Sequence, residues 1–267
     1  MNQTLSSESP EQIQYNGFVS VFLFFIGAVF SLIYWLVFGF FLYIFGLLTW
    51  PLMKPDAHRN LGHCSLGKLF RLFFNILESI GVVKINDSEL SAAAEMKGPL
   101  VIASNHPSLW DAPLLIRRFV SVSCIMKAEI TNNPILYGGS RFAGFIPNYP
   151  KLDMIRKATA YLKQGGRLLL FPEGTRTRDA SRFVNPFRPG LALLSKTADC
   201  PILPVYLHMN SAYLEKGWPA WKMPPMPIVV TVQVGEILSP TKDENTHEYS
   251  ARLEQHFCEE IRTRFPR

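Results

Sequence analysis

The sequence predicts an α/β protein: a mixed, largely parallel β-sheet flanked by helices, preceded by an N-terminal helical segment embedded in a membrane. Three observations lead there. No charged residue lies between Glu11 and Lys54. From Gly81 onward, short apolar runs alternate with stretches of helical periodicity. Two polar stretches rich in reactive side chains, NHPSLWD and FPEGTRTR, each begin where an apolar run stops.

Residues 1–16 read as a polar tail. They carry Glu8 and Glu11 but no Lys or Arg, so they lack the basic start of a secretory signal. From Gly17 to Trp50 the chain is almost wholly apolar and aromatic, well beyond the ~20 residues a spanning helix needs. Such a run is also too long for an ordinary core helix. Straight, it would measure roughly 50 Å against a hydrocarbon core of ~30 Å. Residues 17–53 must therefore tilt strongly, fold back as a hairpin or lie partly in the interface, with Gly27, Ser31 and Gly39 as bending points.

Charge divides the chain in the same place. Only two of the 21 acidic residues and none of the 27 basic residues precede Lys54, which leaves residues 54–267 at +8. Lys54, Arg59, Lys68 and Arg71 follow the apolar segment directly, so the positive-inside rule puts the C-terminal part on the cytoplasmic face, at the inner membrane if the source is bacterial. A basic face beside a bilayer suits anionic headgroups and phosphate-bearing substrates. Nucleic acid is not expected as a partner, because there is neither a recognition motif nor a dense basic run. Cys64, Cys124, Cys200 and Cys258 are scattered without C-x-x-C spacing and read as reduced thiols. His58, His63 and Cys64 alone do not make a metal site, and no metal is expected.

Residues 54–80 read as an amphipathic connecting helix. Leu66, Leu69, Phe70, Phe73, Ile76, Leu77 and Ile80 recur at helical spacing, with Lys68, Arg71 and Glu78 largely on another face. Its apolar side suits an interface or the core of the next domain equally. Residues 81–267 read as the α/β domain. Strands are expected at 82–85, 100–104, 122–126, 167–171, 202–207 and 228–235. Helices are expected near 109–117, at 152–164, 190–198 and 246–264. The Pro-, Trp- and Met-rich stretch 211–227 is a loop that packs at the domain edge or dips into an interface.

Both reactive stretches leave the C-terminal end of a strand, where sites collect in α/β sheets. His106 follows LVIAS, and Asp111 stands about one turn into the next helix. A carboxylate there can reach back to the imidazole, fix its tautomer and leave the outward nitrogen free to take a proton. Alone, a His and an Asp five positions apart are a common coincidence. After RLLLF, Pro172 and Gly174 form a tight turn, and Thr175, Arg176, Thr177 and Arg178 supply donors suited to phosphate, with Glu173 among them. Taken alone, that stretch could equally be a turn closed by a Glu–Arg pair.

In combination these residues resemble the lysophospholipid, or 1-acylglycerol-3-phosphate-type, acyltransferases. Asn105, His106 and Asp111 match the family's N-H-x-x-x-x-D motif, and Phe171–Arg176 match F-P-E-G-T-R. PILPVYL, with Pro204 inside an apolar strand, is similar to the fourth motif, and Gly144, Phe145 and Ile146 to the second. The resemblance covers roughly residues 80–240. It implies that His106 is the general base on an acceptor hydroxyl, that Asp111 orients it, and that Glu173, Gly174, Thr175 and Arg176 bind the acceptor. It implies direct attack on an acyl thioester, with no acyl-enzyme, metal or cofactor. The partners are then a bilayer, a lysolipid acceptor, and acyl-CoA or acyl carrier protein as donor. One departure stands out: Asn148 and Tyr149 lie near where the family's second motif has an arginine for the acceptor phosphate. Lys127, Arg141 and Lys151 are candidates to replace it, and a different hydroxylated acceptor is the alternative. Ser108, two residues after His106, reads as a turn or helix-start hydroxyl.

A serine esterase needs a G-x-S-x-G elbow, and none occurs; Ser140 lacks the pattern. Neither G-x-G-x-x-G nor a P-loop supports a nucleotide-dependent enzyme. A membrane-anchored lipid-binding protein without catalysis is the remaining rival, opposed by two intact reactive stretches.

Overall fold

A computed structural model describes residues 16–49, 55–119, 121–129, 139–177, 184–219, 222–241 and 243–266. The expected polar tail (except residue 16), the end of the apolar segment at 50–53, and Arg178 lie outside them. Helix α1 (Gly17–Thr49) is followed by α2 (Pro55–Ser79), β1 (Val83–Asn86), α3 (Glu89–Glu95), β2 (Leu100–Ser104) and α4 (Asp111–Ile116). Then come β3 (Val122–Met126), β4 (Ile146–Pro147), α5 (Lys151–Lys163), β5 (Arg167–Leu170), α6 (Gly190–Ala198), β6 (Ile202–Met209), β7 (Ile228–Val234) and α7 (Thr246–Arg264).

The seven strands form one sheet in the order β1-β7-β6-β2-β5-β3-β4. All neighbours are parallel except β6 and β7, which pair antiparallel from Val205↔Val234 to Met209↔Val230. Period-2 alternation splits each strand between two cores. Leu100, Ile102, Leu169, Leu203 and Val205 face one side, where α2, α3 and α4 bring Phe73, Phe74, Leu77, Leu90 and Leu115. Val101, Ala103, Leu168, Leu170, Ile202 and Tyr206 face the other, against α5, α6 and α7. The sheet is therefore buried on both faces, as parallel strands require.

Gly17–Thr49 of the apolar segment is one continuous helix, unbroken at Gly27, Ser31 or Gly39. Gly27 serves close approach: a Cβ there would meet Val82 Cγ2 at 3.0 Å. Further along α1, Phe30 stacks on Phe73 at 5.9 Å, and Tyr34 packs on the same ring while its hydroxyl donates to the Leu69 carbonyl. These contacts run backward along α2 as α1 runs forward, so the two helices lie antiparallel. The other side of α1 remains exposed, with Phe22, Phe25, Val29, Leu32 and Leu36 outward.

Two elements were not expected. Helix α3 is only seven residues and buries just Leu90 and Ala93, too few for a periodic signal. Strand β4 is two residues, one of them proline. The helix expected near 109–117 is shorter, Asp111–Ile116. Its C-terminal end is fixed by Asp87, which accepts from Arg117 Nη2 at 2.6 Å and Arg118 Nε at 2.8 Å. Residue 245 supplies the cap of α7: the Asn245 side chain accepts from the His247 and Glu248 amides while Glu248 returns a bond to the Asn245 amide.

His63 on α2 is buried, its ring edge-on to Tyr161 at 6.4 Å. Burial pushes its imidazole down from 6.5 to about 4, with the Ala143 backbone opposing and the Arg59 charge assisting. Between those values the unfolded chain binds a proton that the native state refuses, so this contribution is fully present above about pH 6.5 and is lost toward pH 4. The loss should be on the order of 3 kcal/mol, because each tenfold change in proton concentration between the two values costs about 1.4 kcal/mol. Denaturation midpoints at pH 7.5 and 4.5 should show a markedly smaller acid loss in His63→Leu than in the natural protein.

Candidate active site

Strands β2 and β5 are neighbours, with Ala103 opposite Leu170. The chain leaving β2 passes through α4 to β3, beyond β5; the chain leaving β5 passes through α6 to β6, beyond β2. The two connections diverge to opposite faces, α4 into one core and α6 into the other. A crevice outside the carboxyl ends of β2 and β5 follows from that topology. His106 and Glu173–Arg176 lie on the two loops that border it.

His106 is half-buried, with 19% of its side chain exposed, and its Nδ1 lies 2.8 Å from Asp111 Oδ2. The same carboxylate oxygen accepts the Ser108 amide at 2.7 Å. Phe171 stacks flat on the imidazole, centroids 4.0 Å apart and planes within 19°. With Nδ1–H directed at the carboxylate, the ring presents Nε2 as a lone pair, and no described residue bonds to it. Burial raises the Asp111 carboxyl above its usual range, opposed by the His106 and Ser108 bonds and the Arg176 charge. A buried carboxylate of this kind is stabilised by the donors turned toward it.

Asn105 sets the height of that histidine. Its side-chain amide donates to the Leu207 carbonyl at 2.8 Å and accepts the Leu207 amide at 2.7 Å, extending the β2–β6 ladder by one residue. Pro204 lies in β6 opposite Ala103. Ser108 is a turn hydroxyl, accepting from Trp110 N at 3.3 Å and donating to the Tyr213 carbonyl at 3.2 Å.

Glu173 is 3% exposed, and its carboxylate is turned inward. Oε1 accepts the His106 amide at 2.9 Å, Oε2 accepts the Asn185 amide at 2.8 Å, and the Thr177 hydroxyl donates to both at 3.1 and 3.0 Å. The Thr177 amide in turn donates to the His106 carbonyl at 2.8 Å. This geometry makes Glu173 a clamp between the two loops rather than a surface for an acceptor to touch. Burial raises its carboxyl, with the Asn185, His106 and Thr177 donors opposing. Gly174 turns at φ +66, and a Cβ there would meet Arg188 Nε at 2.5 Å, so the turn requires glycine. Thr175 is half-buried on the same turn. Arg176 donates from Nη1 to the Leu214 carbonyl at 2.7 Å.

Gly144, Phe145 and Ile146 are not brought to His106. They enter β4, separated from β2 by β5 and β3, and line a 310 Å³ cavity with Arg59 and Tyr161. Asn148 spends its side chain on the Ala128 amide at 3.0 Å, and its own amide donates to the Met126 carbonyl at 2.8 Å. Lys127 is exposed immediately after β3, and Lys151 is exposed after β4, both at the His106 end of the sheet. Arg141 precedes β4, toward the other end. The stacking of Phe171 and the parts played by Thr177, Asn185, Tyr213 and Leu214 were not foreseen. Only Thr177, four residues after Glu173, carried a signal.

Glu173→Gln keeps one acceptor and turns an NH₂ toward a donor. It should destabilise the fold by ~1–3 kcal/mol, the cost of leaving a buried partner unsatisfied. Chemical denaturation compared with an unchanged far-UV spectrum checks this.

A family profile described as Acyltransferase matches residues 79–208. The chloroplastic 1-acyl-sn-glycerol-3-phosphate acyltransferase of Brassica napus is 27% identical over 170 residues, 61% of this chain and 47% of that protein. The Pseudomonas aeruginosa enzyme of the same name is 30% identical over 128 residues, 45% of this chain and 48% of that one. Such alignments span about half the length of these curated relatives. The crystal structure of the 1-acyl-sn-glycerophosphate acyltransferase PlsC from Thermotoga maritima superposes with a TM-score of 0.66 at 20% identity, covering 93% of this chain and 98% of that one. That likeness concerns the fold. The profile spans both loops of the crevice, and over residues 79–208 the chain matches the acyltransferase family.

Proposed function

We propose that the protein moves a fatty acyl group from an acyl thioester to the hydroxyl of a lysophospholipid such as 1-acylglycerol-3-phosphate. The observation that carries this reading is the 2.8 Å contact between His106 Nδ1 and buried Asp111, on a loop that borders the crevice. His106 Nε2 takes the proton as the acceptor oxygen attacks the thioester carbonyl. A C–O bond forms, the C–S bond breaks, and the departing thiolate receives the proton back from the imidazolium. Asp111 stabilises that imidazolium, and the Phe171 face adds a cation–π contribution. Arg176, with Lys127 and Lys151 at the same end of the sheet, supplies the positive charge for a phosphate-bearing acceptor. Asn148 does not, because its amide is held by backbone.

The protein works at a membrane surface. Within α1, Gly17–Phe41 is long and apolar enough to cross one. Because one side of that helix packs on α2 and Val82, α1 lies against the domain with its outer side in lipid, the domain on the cytoplasmic face. Sedimentation with membranes should resist high salt and yield only to detergent; release by salt alone would contradict an embedded α1.

Labelled acyl-CoA and acyl carrier protein, offered with a panel of lysolipids, test the reaction. His106→Ala should lower transfer by ~10²–10⁴-fold. A folded His106→Ala protein with undiminished transfer would overturn the assignment. Asp111→Asn should leave acceptor KM near its starting value while lowering kcat, because the amide no longer stabilises imidazolium.

A further inference from the structure

Beyond β6 the chain passes over the crevice instead of leaving it. Asn210 fastens the start of that passage to β7: its side chain accepts the Val229 amide at 2.9 Å and donates to the Pro227 carbonyl at 3.1 Å. Ser211 Oγ accepts the Tyr213 amide at 3.1 Å. The Tyr213 carbonyl takes the Ser108 hydroxyl, and its ring packs edge-on against Trp110 at 5.3 Å. Leu214 then adopts φ +63, a conformation uncommon for any residue with a side chain. Its carbonyl accepts from two donors on different loops, the Leu109 amide at 3.3 Å and Arg176 Nη1 at 2.7 Å.

A left-handed residue at this point redirects one carbonyl to where the β2 loop and the β5 loop meet. Strain of this kind persists only where surrounding contacts hold it, and it clusters at functional sites. The guanidinium is a planar fork with five N–H donors. One bond to a fixed carbonyl sets the plane of the fork and leaves the remaining donors to a ligand. An arginine held this way loses less rotamer freedom when a phosphate arrives.

We propose that the Tyr213–Leu214 turn is a positioning strap for the acceptor, in which the left-handed Leu214 carbonyl aims Arg176 relative to His106. The inference rests on the reading of Arg176 as an acceptor contact. Leu214 is a positioning residue, not a catalytic one, and it acts through the direction of its carbonyl, not through its side chain.

Substitutions that keep the carbonyl but change the backbone preference separate these roles. Leu214→Val resists positive φ, while Leu214→Asn and Leu214→Gly adopt it readily. With 1-acylglycerol-3-phosphate as acceptor, Leu214→Val should raise acceptor KM about tenfold, with thioester KM and kcat within about threefold. Asn and Gly should stay within about threefold of the natural protein on all three. Arg176→Lys combined with Leu214→Val should be no worse than the poorer single variant, because both remove one interaction. Hydrogen exchange at the Leu109 amide should accelerate in Val and stay slow in Asn. An unchanged acceptor KM in Val, equal damage in Val and Gly, or additive effects with Arg176→Lys would each overturn the strap. If Val does not fold, Gly decides: an acceptor KM raised tenfold there assigns the effect to the side chain and overturns the proposal. His106→Ala runs beside these variants. Its undiminished activity would remove the acyl-transfer reading, while Leu109 exchange still judges the strap on its own.

Discussion

The carboxylate of Glu173 is the constraint on which the crevice depends. Two loops leave neighbouring strands toward opposite faces of the sheet, and nothing in the ladder itself holds their first residues together. Glu173 does so with acceptors alone: its two oxygens take two backbone amides and a hydroxyl from three separate points of chain. Burial makes this charge expensive unless every lone pair is used, so the loops are held in one arrangement or the carboxylate is left unsatisfied. The His106 amide is one of those three points. Placement of the imidazole is therefore decided from its backbone side by Glu173 and from its ring side by Asp111 and Phe171.

The α/β architecture was legible because it is written in periodicity. Strands buried on both faces read as unbroken apolar runs, and β2, β3 and β6 began where those runs began. Helices α6 and α7 were legible to the residue, the first ended by a left-handed Asp199, the second opened by the Asn245 cap. Short elements were not. Strand β4 and helix α3 depend on what packs against them, and neither buries enough residues to leave a pattern. Within the crevice, the His106–Asp111 pair was visible because five residues of sequence separate them. Glu173 was visible as a residue but not as a clamp, since its partners His106 and Asn185 are 67 and 12 residues away. The Leu214 carbonyl left no trace at all, because a backbone group has no letter.

The junction between β3 and β4 is arranged by the backbone as much as by side chains. Asn148, beside which a cation was expected, is consumed by the Ala128 amide and so ties the end of β4 to the end of β3. Lys127 projects from that tied junction, free of the β3–β4 ladder. The helical pair at the N-terminus adds a second ordering. α1 meets Val82 near the start of β1, and β1 runs opposite to β2, so this contact lies toward the His106 end of the sheet.

Strand β4 has a consequence for how the molecule behaves among its own copies. An edge strand offers unpaired amides and carbonyls as a template for another chain. Here that edge is two residues long, and one of them, Pro147, has no amide to offer. Copies of this protein that met along β4 would find an edge too short and too poorly equipped to zip into a continuous sheet. The same brevity that hid β4 from periodicity makes that side a poor template for pairing with another strand.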